Sequence, residues 1–148
     1  MLRWCGIFNP KKFVSSKLPT SYFEKTSNDH ERQFIKQLST SCEKGSIVVY
    51  ALELDSKLAG LVGLSASRVD SIPTVQIDYI FVSPEFRNKK FKELAGTKIS
   101  TYMIDLAIVL SKKLSGEVGI RWLALVPDND KLENFYCKEF AFKPHNDR

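Results

Sequence analysis

The sequence predicts a mixed α/β (α+β) fold, a mainly antiparallel, twisted sheet flanked by helices. Three observations predict it. First, Ser46 to Leu54 and Leu58 to Ser67 are apolar, β-branched stretches separated only by Asp55-Ser56-Lys57, a short hairpin turn. Second, a turn at Arg68 to Ser71 and then Pro73 lead into Val75 to Val82, a third strand rich in β-branched and aromatic residues that Pro84 breaks. Third, an amphipathic helix separates that strand from Ile120 to Val126, which is nearly all apolar, as a strand buried on both faces should be. A strand, a helix and another strand in this order predict a parallel pair joined by a right-handed crossover.

The bounds agree with a single domain over residues 1–148, long enough to bury a real core. With 43% hydrophobic and 26% charged residues the chain has the composition of a soluble protein, and no apolar run is long enough to span a bilayer. The apolar start, MLRWCGIF, meets Asn9, Pro10, Lys11 and Lys12 too soon for a signal peptide. Cys5, Cys42 and Cys137 are scattered and odd in number, which argues for a reducing cytoplasm over a disulfide framework. No pair has metal-ligand spacing and His30 and His145 lie near no cysteine cluster, so no metal is expected. A net charge of +5 and a pI near 9.1 suit an anionic partner, either a phosphate-bearing cofactor or nucleic acid.

Leu2 to Phe8 has the composition of a first strand, and Phe13 to Phe23 that of a short helix interrupted at Pro19. Asn28 to Cys42 is a clearer helix. Asn28 caps it, Glu31 completes a capping box, Phe34, Ile35, Leu38 and Cys42 form its buried face, and Gly45 ends it. His30 falls in its first turn, where an exposed residue without a role is expected. Gly60 and Gly63 in the second hairpin strand mark a bulge, a close backbone approach, or simply a weaker strand. The central helix carries Ile99, Tyr102, Met103, Leu106, Ala107 and Leu110 at three- and four-residue steps. Ser115-Gly116 and Gly119 bracket the turn after it. Asn129 to Lys138 reads as a short helix with Leu132, Phe135 and Tyr136 near one face, and Phe140 to Lys143 as a last short strand.

Between Val82 and the central helix, Phe86 to Lys92 holds Arg87, Lys89, Lys90 and Lys92. A strand, a cationic loop and a helix N-terminus together make an anion site, because free backbone N–H groups and the helix dipole attract phosphate.

From Ile47 to Lys143 the order of elements resembles the GCN5-related N-acetyltransferases, the GNAT family. The best-matching piece is Asn129, Leu132, Phe135-Tyr136 and Ala141-Phe142. The resemblance implies acetyl-CoA as co-substrate and a parallel strand pair splayed around its cleft. It implies that Tyr136 protonates the departing thiolate, that Asn129 contacts the cofactor, and that backbone groups of Ile80, Phe81 and Val82 pair with the pantetheine arm. A phenol of pKa about 10 suits the acid role when its hydroxyl lies near the sulfur.

The chain departs from the family pattern in three places. The family's Gln/Arg-x-x-Gly-x-Gly/Ala loop has two registers here. Anchored on Arg87, it puts Lys90 and Lys92 at the glycine positions. Anchored on the helix, where Met103-Ile104 and Ala107-Ile108 match the family's apolar pairs, it puts Ala95 at the Arg position and Lys98 and Ser100 at the glycines, with Gly96 the only glycine left. The second register is preferred and makes Phe86 to Leu94 a basic insertion. Where members carry a Glu as general base, the nearest side chains are Gln76 and Asp78, placed on one face by the two-residue period. Gln cannot take the proton, whereas Asp78 can, directly or through water, or else it serves as a structural partner for a lysine. Finally, the strand that members add after the equivalent of Phe142 is expected to be missing, supplied by a partner, or cut away.

The resemblance therefore implies transfer of an acetyl group from acetyl-CoA to a primary amine in a direct ternary complex, with Tyr136 and Asp78 as catalytic residues. Two alternatives stand beside it. Ile72-Pro73 and Gly60 to Val69 look like the GNAT toxins that acetylate aminoacyl-tRNA, and the degenerate loop fits a non-catalytic binding module that holds an acidic protein or nucleic acid through Arg87 to Lys92. The expected partners are a small amine or aminoacyl-tRNA and no membrane, with a homodimer left open.

Overall fold

The computed structural model describes residues 9–54, 57–94, 96–127 and 129–145. A five-stranded sheet organises them, in the order β1 (Asn9–Phe13), β2 (Val48–Leu54), β3 (Lys57–Val69), β4 (Ile72–Val82) and β7 (Trp122–Leu125). The first four strands are antiparallel, and β4 pairs with β7 in parallel, from Thr74 opposite Trp122 to Ile77 opposite Leu125. The expected parallel pair is thus present, and the antiparallel run gains a fourth strand at its edge. That strand contains Pro10, which an edge tolerates because no ladder donor is needed on its outer side. The expected strand at Leu2 to Phe8 lies outside the described residues.

Helix α1 (Asp29–Glu43) covers one face of the sheet, and α2 (Ile99–Glu117) covers the other. On the α1 face, Ile35, Leu38 and Cys42 pack with Leu18, Tyr22, Val49 and Leu61. On the α2 face, Ile99, Met103 and Leu106 pack with Leu52, Val62, Val75 and Ile77. The three- and four-residue spacing read in the central helix is therefore a core stripe. Gly60 and Gly63 sit where the helices press closest. A Cβ on Gly60 would stand 2.6 Å from Ile99 Cγ2, and one on Gly63 would stand 2.7 Å from Leu38 Cδ1. Close approach is thus present at both glycines, and each also adjoins an irregularity of the ladder, at Leu52/Glu53 opposite Gly60 and at Gly63/Leu64.

The start of α1 follows its sequence signal, since Asn28 Oδ1 accepts the Glu31 N–H at 2.9 Å. Glu31 reaches back one residue further than a capping box requires, accepting from Ser27 N at 2.8 Å and Ser27 Oγ at 2.7 Å. Gly45, at φ +79°, follows its end.

Several expectations are corrected. The segment Phe13 to Phe23 holds no α-helix, only a 3-10 turn at Thr20–Lys25 that starts after Pro19. Ser115 and Gly116 belong to α2. Strand β7 is shorter than Ile120 to Val126 and lies at the sheet edge, with Trp122 40% and Val126 80% exposed. Phe140 to Lys143 is not a strand. Helix α3 (Asp130–Phe140) ends on Ala141 in the left-handed conformation, and residues 141–145 continue without regular structure.

Between β4 and α2 the basic segment is folded. After a 3-10 turn at Pro84–Phe86 come two short antiparallel strands, β5 (Lys90–Phe91) and β6 (Thr97–Lys98), the second running directly into α2. Among the described residues no helix is long and apolar enough to cross a membrane.

Candidate functional site

The site is made where β4 and β7 part. Their ladder stops at Ile77 and Leu125, yet β4 continues to Val82. At the stopping point β4 carries a bulge. Gly63 of β3 lies opposite Tyr79, but Leu64 lies opposite Ile77, so Asp78 is the extra residue. Such a bulge bends its strand and ends regular pairing. It interrupts the alternation at Asp78, which still meets the side chain of Ser65, the residue opposite Gln76. Val75, Ile77, Ile80 and Val82 turn to the α2 core, whereas Tyr79 and Phe81 turn to the α1 core.

The gap opens into a groove of about 830 Å³ that runs through the sheet plane, bounded by α1, the end of β4, the start of α2 and the start of α3. Its size is that of a site for a ligand of cofactor dimensions. Asp78, Ile80, Phe81, Val82, Lys98, Ser100, Asn129 and Tyr136 all line it. Gly96 does not. It takes φ +77° in the turn before β6, where its N–H donates to Phe91 O at 2.8 Å. Ala95 is outside the described residues. Of the cations of the basic loop only Arg87 lines the groove, beside Phe86 and Asn88, and Lys90 and Lys92 of the first register do not.

The α2 end of the groove suits an anion. Lys98 is the N-cap residue, its own side chain makes no cap hydrogen bond, and the first turn holds no acid. The first-turn N–H groups have no partner within the helix, and the dipole places partial positive charge there. Helices α1 and α3 differ. Each has an asparagine cap and acids in its first turn. In α3 the cap is Asn129, whose Oδ1 accepts the Leu132 N–H at 2.8 Å. The side-chain oxygen of Asn129 is therefore engaged in holding the helix, and its amide N–H groups are what it offers a ligand.

Asp78 is half-buried, and its Oδ2 is enclosed without a hydrogen-bond partner among the described residues. Burial pushes its carboxyl above the usual aspartate range, and a hydrogen bond from the Ser65 side chain opposes this in part. A carboxyl raised in this way is better suited to exchange a proton near neutrality. Tyr136 stands on α3 across the groove, packed edge-on against Phe135 and Phe142 with ring centroids 5.6 and 6.2 Å away. These contacts fix the phenol ring while it lines the groove.

Three groups that line the groove were read otherwise from sequence. Arg87 donates through Nε to the Val82 carbonyl at 2.8 Å, through Nη2 to Glu31 Oε2 at 2.6 Å, and lies 5.6 Å from the Phe81 ring centroid. Burial alone would raise the Glu31 carboxyl. The Ser27 and Arg87 hydrogen bonds, with the guanidinium charge, hold it below its ordinary range instead. Phe34, expected in the core, is 40% exposed on the groove side of α1, between His30 and Tyr79. Its spacing with Leu38 is the same as that of a core residue, so only the position of the groove separates the two.

Solved structures share this architecture. The chain is similar to AtaTR bound with AcCoA, at a TM-score of 0.74 and 16% identity, over 97% of this chain and 88% of that one. It is similar to AtaT complexed with acetyl-methionyl-tRNAfMet, at a TM-score of 0.67 and 17% identity, over 93% and 87%. It is also similar to the aminoglycoside N-acetyltransferase AAC(6')-Iy in complex with CoA, at a TM-score of 0.58 and 16% identity, over 95% of each chain. No curated protein matches the chain. The model of the acetyltransferase (GNAT) family matches residues 13–142, across the sheet, the bulged strand and the groove. The chain belongs to the acetyltransferase (GNAT) family.

Proposed function

We propose that this acetyltransferase moves the acetyl group of acetyl-CoA directly to a primary amine, with both substrates bound in the groove where β4 and β7 part. The observation that carries the reading is that parting itself. Among the described residues it leaves 80–82 of β4 without a strand partner on the β7 side, next to a helix N-terminus whose cap residue, Lys98, makes no side-chain cap hydrogen bond. A peptide-like arm can pair with the open strand edge, and a pyrophosphate can take the α2 N–H groups with Lys98 and Ser100 beside them. The Val82 carbonyl already accepts from Arg87, so the arm is read as pairing chiefly at Ile80 and Phe81.

Acetyl-CoA supplies an activated acyl group on a sulfur leaving group. The residues of the chain align and exchange protons around it. Backbone N–H groups of β4 polarise the thioester carbonyl. The amine nitrogen bonds to the carbonyl carbon and the carbon–sulfur bond breaks. Asp78 takes the nitrogen's proton, directly or through water, and Tyr136 gives its own to the sulfur. Alignment within one groove contributes rate through proximity and orientation.

The test is a calorimetric titration of the chain with acetyl-CoA, followed by thiol-release assays on amines. Micromolar binding and turnover that falls about 100-fold in Tyr136→Phe, with acetyl-CoA affinity within twofold, support the reading. Unchanged turnover overturns the acid role, and absence of binding up to millimolar overturns the reading itself.

A second reading takes aminoacyl-tRNA as the acceptor. The AtaT complex with acetyl-methionyl-tRNAfMet supports it, as do Lys89, Lys90, Lys92, Lys98 and Lys131, none of which has an acidic partner among the described residues. Such a substrate would bind with a steep salt dependence. Either reading keeps the chain in a reducing cytoplasm, consistent with the free thiols of Cys42 and Cys137. Sedimentation in solution tests the homodimer.

A further inference from the structure

The two ends of the groove differ in chemistry. The α2 end offers N–H groups, Lys98 and Ser100. The α1 end is an aromatic wall. The His30 ring meets Phe34 edge-on with centroids 5.2 Å apart, and Phe34 meets Tyr79 in the same manner, also at 5.2 Å. Phe34 is held open at 40% exposure, while Ile35 and Leu38 on the same helix are buried. Edge-to-face contacts on both sides fix its ring. A rigid, open aromatic surface inside a groove is suited to take an apolar substituent.

Charge narrows the choice. Beyond His30, the charged side chains that line the groove are Glu31, Asp78, Arg87, Lys98 and Lys131. Glu31 is engaged by Arg87 at 2.6 Å. Asp78 is half-buried, with one oxygen enclosed. No carboxylate among these is left to receive a second or third ammonium group, and Lys98 and Lys131, which have no acidic partner among the described residues, repel one.

We infer that His30, Phe34 and Tyr79 form the acceptor subsite, and that it selects a primary amine with an apolar side chain beside it, on a neutral or anionic carrier, and rejects polycations. The inference rests on the acetyl-transfer reading above. Tyr79 follows Asp78 directly in β4. Phe34 and Tyr79 line the same groove as Asp78, so an amine at the Asp78 carboxyl has these two rings to receive its neighbouring side chain. The apolar wall supplies selectivity, and the cationic groove sets the sign of the carrier.

The experiment is steady-state acetylation by the whole chain, with methioninamide, glycinamide and spermidine as acceptors. Methioninamide should exceed glycinamide in kcat/KM by about tenfold or more, with spermidine poorest. Phe34→Ala should raise KM for methioninamide about tenfold and lower the methioninamide-to-glycinamide ratio of kcat/KM by a similar factor, and Phe34→Leu should restore most of the loss. An unchanged methioninamide-to-glycinamide ratio in Phe34→Ala, or a preference for spermidine, overturns the inference. If no amine is acetylated, the acetyl-transfer reading fails and the subsite is judged by binding alone. Methioninamide is then titrated into chain saturated with CoA and followed by NMR. Affinity that weakens in Phe34→Ala upholds the subsite, and unchanged affinity or no binding overturns it.

Discussion

The Arg87 guanidinium joins two elements that the sequence places far apart, holding Glu31 Oε2 at 2.6 Å on α1 and the Val82 carbonyl at 2.8 Å at the end of β4. One side chain thus ties the first helix to the strand that opens the groove. It is the one cation of the basic loop, Phe86 to Lys92, that lines the groove.

Arg87→Ala should destabilise the fold by about 1 kcal/mol, a value discounted because the guanidinium is more than a third exposed. The loss should depend on pH. Glu31 is held below its ordinary value of 4.5, so its contribution is full above that value and disappears as pH falls through the lower folded value. Denaturant midpoints of the two proteins should therefore converge in acid. A gap that persists with Glu31 protonated would mean that the Val82 contact and packing on Phe81 account for the effect.

Asp78→Asn should lower turnover by about 100-fold or more while leaving stability at neutral pH equal or higher. Burial raises this carboxyl, so the folded protein prefers it protonated and pays increasingly for its charge as pH rises through the raised value. In the unsubstituted chain kcat/KM should rise with pH as Asp78 loses its proton. A pH–rate profile for both proteins checks this, and an acidic limb that survives in Asp78→Asn assigns the limb to another group.

Ser100→Glu should separate stability from binding. An acid in the first turn of α2, which has none, should stabilise the helix by about 0.5 kcal/mol. The same charge should weaken acetyl-CoA binding about tenfold, since it occupies the end of the groove read as the pyrophosphate site. Thermal melts and calorimetry on one preparation read both effects. Tighter or unchanged binding would place the phosphates elsewhere.

Gly60→Ala should cost about 2 kcal/mol. The added Cβ would meet Ile99 Cγ2 at 2.6 Å and the Phe81 carbonyl oxygen at 3.1 Å, and the second is backbone that cannot rotate away. Because Ile99 opens α2 and Phe81 lies in the groove, the substitution should also weaken acetyl-CoA binding. Urea unfolding and the same titration test it.

Local rules carry most of the fold from this sequence. Alternation, turn residues and caps mark β2, β3, β4 and the start of α1, and the helical spacing marks the core stripe of α2. Each of these signals lies within a few residues of the element it specifies. In the last segment Phe140 and Phe142 have the composition of strand residues, whereas Ala141 takes a left-handed conformation that ends α3. At β7 an apolar composition promised burial on both faces, but burial depends on neighbours, and here the strand is at the edge.

The candidate site divides in the same way. Lys98, Ser100, Asn129 and Tyr136 are legible because they sit at helix starts or in a motif with fixed spacing, and Asp78 is legible as a titratable residue on the central strand. What the sequence by itself determined is which residues could do chemistry and which elements carry them. Only the tertiary structure decided that Asp78 is the extra residue of a bulge, that Arg87 turns inward to Glu31 while its neighbouring lysines do not, and that Phe34 faces a groove and not the core. The physical reason is range. Caps and periodicity act over one or two turns, whereas the bulge, the ion pair and the open ring arise where strands and helices distant in sequence meet, 56 residues apart in the case of Glu31 and Arg87.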